Sequence, residues 1–132
     1  MPVFFNKVKR KNPSKPTEPE LWYPVLKSTK LVKEKEVAEL LSNETTLNPK
    51  EAEMAVSQLF KVVAWLLLDG HTVQLGSLGT FRLTAHSRGV PTEAEVNAHL
   101  IEKVSVRFSE SAELKAAIAK ASFVDVSSMS NK

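Results

Sequence analysis

The stretch Gly76-Ser77-Leu78-Gly79-Thr80-Phe81 constrains this chain most, because of the elements on either side of it. Before it, Ala52, Val56, Leu59, Phe60, Val63, Leu66 and Leu67 recur at three- and four-residue spacing, which predicts a helix from Pro49 to about Asp69. Asn48 suits the N-cap, with Pro49 at the first helical position and Glu51 three residues after the cap. Gly70 can take the left-handed conformation that ends such a helix. Thr72 to Leu75 alternates like a strand. Gly76 and Gly79 then permit a tight bend into a second strand, Thr80 to Thr84. From Phe60 to Leu68 the helix is apolar nearly all round except at Lys61, so it needs cover on more than one side. A partner subunit or a single monomeric core could supply that cover.

The remaining elements are shorter. Val3 to Lys9 and Leu21 to Leu26 have strand-like composition, and Pro24 confines the second to an edge or an irregularity. Between them, Pro13, Pro16 and Pro19 exclude regular structure, which leaves a flexible basic loop. Lys33 to Ser42 reads as a helix with Val37, Leu40 and Leu41 on one stripe. Thr92 can cap a short helix. Lys103 to Phe108 alternates strictly, with Val104, Val106 and Phe108 on one side and Lys103, Ser105 and Arg107 on the other. Ser109 can cap a last helix, Glu110 to Ala121, and the tail Ser127 to Lys132 reads as disordered.

Composition narrows the function classes. The 132 residues suit one domain with a modest core. The absence of Cys removes disulfides, thiol catalysis and Cys-based zinc sites. Neither a signal peptide nor a membrane-length apolar run is visible, so the expectation is a soluble cytoplasmic protein. His71, His86 and His99 lack ligand spacing and read as surface or turn residues. Glu51/Glu53 and Glu93/Glu95 do not share a helix face. Gly76 and Gly79 precede a strand, whereas a phosphate cradle opens a helix. The chain is therefore expected to be no enzyme, with no catalytic residue, metal site, cofactor or small-molecule substrate. Net charge is only +3, but residues 1–35 hold nine Lys/Arg against three acids, and the remainder holds nine against twelve. A basic front end on an acidic body fits either a polyanion contact or a solvated arm.

The order helix, strand, Gly-Ser-Leu-Gly-Thr-Phe, strand resembles the core of the bacterial HU/IHF histone-like DNA-binding proteins, over about Lys33 to Phe123. Met1-Pro2-Val3 and Arg10-Lys11-Asn12-Pro13 resemble an HU-like subgroup of Bacteroidetes type with an N-terminal extension. The resemblance implies an α+β fold with two N-terminal helices, a β-sheet saddle, a C-terminal helix and an intertwined dimer, preceded by an N-terminal β extension. The expected divisions are a basic extension at 1–32, an HU-like domain at 33–124 and a disordered tail at 125–132.

One feature departs from that family. HU and IHF wedge a proline at the tip of a long basic β-arm into the minor groove. Here Arg88 to Leu100 is short, carries Glu93 and Glu95, and reads as turn plus helix, with Pro91 before the cap. Strong bending is therefore not expected. Arg82, Arg88, Lys103 and Arg107 could still line the saddle, and Lys7, Lys9, Arg10 and Lys11 could add a basic arm, all contacting phosphates. The bland alternative for Arg82 and Arg107 is a pair of solvent-facing strand positions. The resulting expectation is a nucleoid-associated homodimer that binds double-stranded DNA without sequence preference. The rival is an HU-fold protein-interaction or structural module that has lost DNA binding.

Overall fold

Residues 2–126 are described by the computed structural model, and they fall into two units, one within Met1–Val32 and Ala117–Lys132 and the other Lys33–Ala116. The expected tail at Ser127 to Lys132 lies outside the described residues.

In the first unit, β-branched and aromatic residues favour extended chain in β1 (Pro2–Arg10) and β2 (Leu21–Lys27). The two strands pair antiparallel, from Phe4 opposite Lys27 to Arg10 opposite Leu21. A third strand, Ser122–Asp125, runs parallel to β1, from Pro2 opposite Ser122 to Phe5 opposite Asp125. The strand order puts β1 at the centre and β2 at an edge. An edge is where Pro24 can sit, because its missing N–H then leaves no ladder bond unmade. In the connection between β1 and β2, Asn12 Oδ1 accepts from Ser14 N at 3.0 Å and Asn12 O accepts from Lys15 N at 3.1 Å.

The second unit is built on two helices, α1 (Glu34–Glu44) and α2 (Pro49–Leu68). They pack against each other, and the deeply buried residues on each are small: Ala38, and Ala52, which is fully covered. Small side chains there let the helix axes approach closely. Asn48 caps α2 by accepting from Glu51 N at 2.9 Å, and its amide returns a bond to the Glu51 carboxylate. Gly70, at φ 86°, closes the other end in a Schellman arrangement: Gly70 N donates to Leu67 O and His71 N to Leu66 O, both at 3.0 Å.

The second sheet follows, with β3 (Val73–Leu75), β4 (Gly79–Ser87) and β5 (Ile101–Glu110) in that order, all antiparallel. Phe81 faces Phe108 across the ladder with ring centroids 4.9 Å apart. Between β4 and β5, two short 3-10 turns occupy Glu93–Glu95 and Ala98–Leu100. Helix α3 (Ala112–Ile118) is capped by Ser111, whose Oγ accepts from Leu114 N at 3.0 Å, and Ser111 N donates to Leu78 O at 3.3 Å. The final strand, Ser122–Asp125, is β6.

This layout corrects the expected fold. After the N-terminal β extension, the described chain does not run as two helices, one saddle and a closing C-terminal helix. The described residues hold three α-helices and two separate three-stranded sheets, and the last regular element among them is a strand rather than a helix. The reason is long-range pairing: the ladder positions of β1 left free by β2 are taken by Ser122–Asp125. The last helix is also shorter than expected and starts later, because Ser109 and Glu110 still belong to β5.

Gly79 is the tightest point of the second sheet. Its φ of 150° suits glycine alone, and a Cβ there would clash with the Ser109 carbonyl and lie 2.7 Å from the Phe108 ring. Gly79→Ala is expected to destabilise the protein by about 2–4 kcal/mol, combining backbone strain with overpacking, as read from the urea midpoint.

Candidate nucleic-acid interface

The antiparallel register sorts the β4–β5 ribbon into two faces, because directly opposed residues point the same way. Phe81 with Phe108, Leu83 with Val106 and Ala85 with Val104 form the apolar face. Thr80 with Ser109, Arg82 with Arg107, Thr84 with Ser105 and His86 with Lys103 form the other. That polar face holds three fixed cations, a histidine and four hydroxyls, and none of these eight positions is acidic. Arg82, Lys103 and Arg107 make no ion pair among the described residues.

Two arginines directly across a ladder repel each other. A sheet face that tolerates this is suited to an anion lying between the two guanidiniums, each of which can bind a phosphate bidentately. The hydroxyls add neutral donors beside them. Arg88 takes no part in this face: its Nε lies 2.6 Å from Glu102 Oε1, so its charge is matched locally at the end of the ribbon.

The four N-terminal candidates lie in the other unit. Lys7, Lys9 and Arg10 are on β1, and Lys11 opens the connection to β2. Lys7 Nζ pairs with Asp125 Oδ2 at 3.0 Å. Lys9 Nζ is 4.0 Å from Glu20 Oε2 and 5.9 Å from the centre of the Trp22 ring. Arg10 and Lys11 have no ion-pair partner among the described residues. The structure thus collects Arg82, Lys103 and Arg107 on one face and Lys7 and Lys9 on another.

His86, expected on the surface or in a turn, is exposed but was not counted among the site residues. His86 is in β4, opposite Lys103. Its signal was the continued alternation Arg82, Thr84, His86 past the expected strand end. No cluster of metal-binding side chains occurs among the described residues, and no described helix is long and apolar enough to cross a membrane.

A helix pair leading through a Gly-Ser-Leu-Gly bend into a ribbon with one cationic face defines a domain of the HU class. The chain belongs to the HU-HIG family, described as an HU domain fused to wHTH, Ig, or glycine-rich motif, whose model matches residues 1–124. Among solved structures, it is similar to a proposed bacterial DNA-binding protein from Bacteroides vulgatus, with 14% identity and a TM-score of 0.61. The match covers 93% of this chain and 48% of that one, so the chain spans about half the length of that relative. At this identity the likeness is one of fold. No curated protein matches the sequence.

If Arg82 and Arg107 repel, Arg107→Thr should raise the stability of the unliganded protein by about 0.2–1 kcal/mol. Urea unfolding at low and high salt checks the cause, because added salt should shrink the gain.

Proposed function

We propose that this chain is a DNA-binding protein that holds double-stranded DNA without sequence preference and works as a homodimer in the bacterial nucleoid. The observation that carries the reading is the Arg82–Arg107 pair on an acid-free sheet face, within a chain of the HU-HIG family. Contacts from Arg82, Lys103 and Arg107 go to phosphates, so affinity falls steeply with salt. Lys7, Lys9, Arg10 and Lys11 add a second basic contact, with Lys7 and Lys9 exchanging a carboxylate partner for phosphate. The match to a Bacteroides fold and the N-terminal Met1-Pro2-Val3 and Arg10-Lys11-Asn12-Pro13 segments support placement in the Bacteroidetes-type subgroup.

Dimerisation rests on what the second unit leaves uncovered. Among the described residues, the buried apolar ones are Ala38, Ala52, Leu67 and Val73. Phe60, Trp65 and Leu68 on α2 are 73%, 70% and 82% exposed. An apolar cavity of about 390 Å³ lies between α2 and the apolar sheet face, lined by Val56, Phe60, Val63, Leu67, Phe81 and Val106 among others. Interiors pack far more densely than this, and a second copy offers matching apolar cover.

A protein-interaction module on the same scaffold is the second reading. It is favoured by the segment between β4 and β5, which presents Glu93 and Glu95 on a 3-10 turn in place of a basic wedge.

Duplex mobility separates the two. Retardation at ~50 mM salt, lost as salt rises, is expected for DNA binding, and Arg82→Ala with Arg107→Ala should lower the salt slope by about 0.9 for each phosphate contact removed. An unretarded duplex at that salt leaves the interaction module. Light scattering should give twice the chain mass at micromolar protein, and Phe60→Glu should halve it; a monomeric wild type would refute the dimer.

A further inference from the structure

Trp22 stands out in the first unit. It is 67% exposed although it lies within β2, a strand paired along its length. The register places it directly opposite Lys9, with Pro24 and Lys7 next along the same face. The Lys9 ammonium is 5.9 Å from the indole centre, close enough for a cation–π contact that orients both groups. Arg10 and Lys11 continue the chain beyond Lys9. Over residues 2–32 and 117–126 there are eight basic side chains and three acidic ones, whereas Lys33–Ala116 carries nine against twelve. The chain's net positive charge is therefore concentrated in the unit that carries Trp22.

We infer that the β1–β2 face is a binding site for single-stranded DNA, in which Trp22 stacks on an unpaired base while Lys7 and Lys9 follow the phosphates. An aromatic ring beside a cationic track is the arrangement that holds single strands without sequence preference, because every base has a π-face. Paired bases cannot use Trp22 in this way, since their faces are stacked inside the duplex and unstacking a step costs a few kcal/mol. The inference builds on the DNA contact proposed for the N-terminal lysines and adds the strandedness that this contact prefers.

The experiment compares labelled oligothymidylate with a duplex of equal length by fluorescence anisotropy, using the full chain. Trp22→Leu keeps apolar bulk on the sheet but removes the ring, and Trp22→Phe keeps a smaller ring. Trp22→Leu is expected to weaken oligothymidylate binding about tenfold, with Trp22→Phe in between and duplex affinity unchanged. Oligothymidylate should also quench the wild-type indole emission, and most of that quench should vanish in Trp22→Leu, although Trp65 remains. Equal losses on both DNAs, an unaltered oligothymidylate affinity or an unquenched wild type would overturn the inference. Duplex binding without oligothymidylate binding also overturns it and leaves the duplex reading intact. Trp22-dependent oligothymidylate binding without duplex binding sustains it and removes the duplex reading. Circular dichroism confirms that the variants fold, and the wild-type quench tests the inference even if they do not.

Discussion

The pairing of Gly79–Ser87 with Ile101–Glu110 is the constraint on which the second unit depends. One register decides everything on both faces, because slipping it by a residue would exchange the faces of one strand. As formed, it sets Phe81 on Phe108 and gives α2 a flat apolar surface to approach. The same register places Arg82 against Arg107, so the hydrophobic contact and the electrostatic strain are two results of one alignment. Gly79 secures it from the end, since only a residue without a side chain lets β4 begin so close to Ser109. The strain is tolerable because the guanidiniums stand in solvent, where a repelling pair costs little and a bound anion converts it into attraction.

Local signals made much of this legible in the sequence. The Asn48 cap, the Gly70 terminus, the length of α2 and the alternation through Phe108 each depend on residues within a few positions of one another. Pro24 could be assigned to an edge for the same reason. What escaped were the features set by distant partners. Ser122–Asp125 is too short to show a period of its own and becomes a strand only because β1 offers a free edge. Without that pairing in view, the last regular element reads as a helix, and the first sheet lacks its third strand. Ser111 rather than Ser109 caps α3 because β5 extends two residues further than its apolar pattern requires.

The candidate site was legible as a list of cations but not as an arrangement. Spacing alone could not show that Arg88 spends its charge on Glu102, or that His86 joins Lys103. The two basic groups stand in different units, one on an otherwise acidic body and one on a basic sheet that carries Trp22.

The parallel pairing of β1 with β6 carries a consequence for how the molecule is made. The central strand of the first sheet leaves the ribosome before both its neighbours, and one of them is synthesised more than a hundred residues later. Until then β1 has only β2, and a lone hairpin is marginally stable in water. Closing so long a loop adds entropy cost and slows formation of the native pairing. During synthesis the β1 edge therefore stays open, with Val3, Phe4 and Phe5 exposed to other nascent chains, and a chaperone that covers this edge early would raise the yield of folded protein.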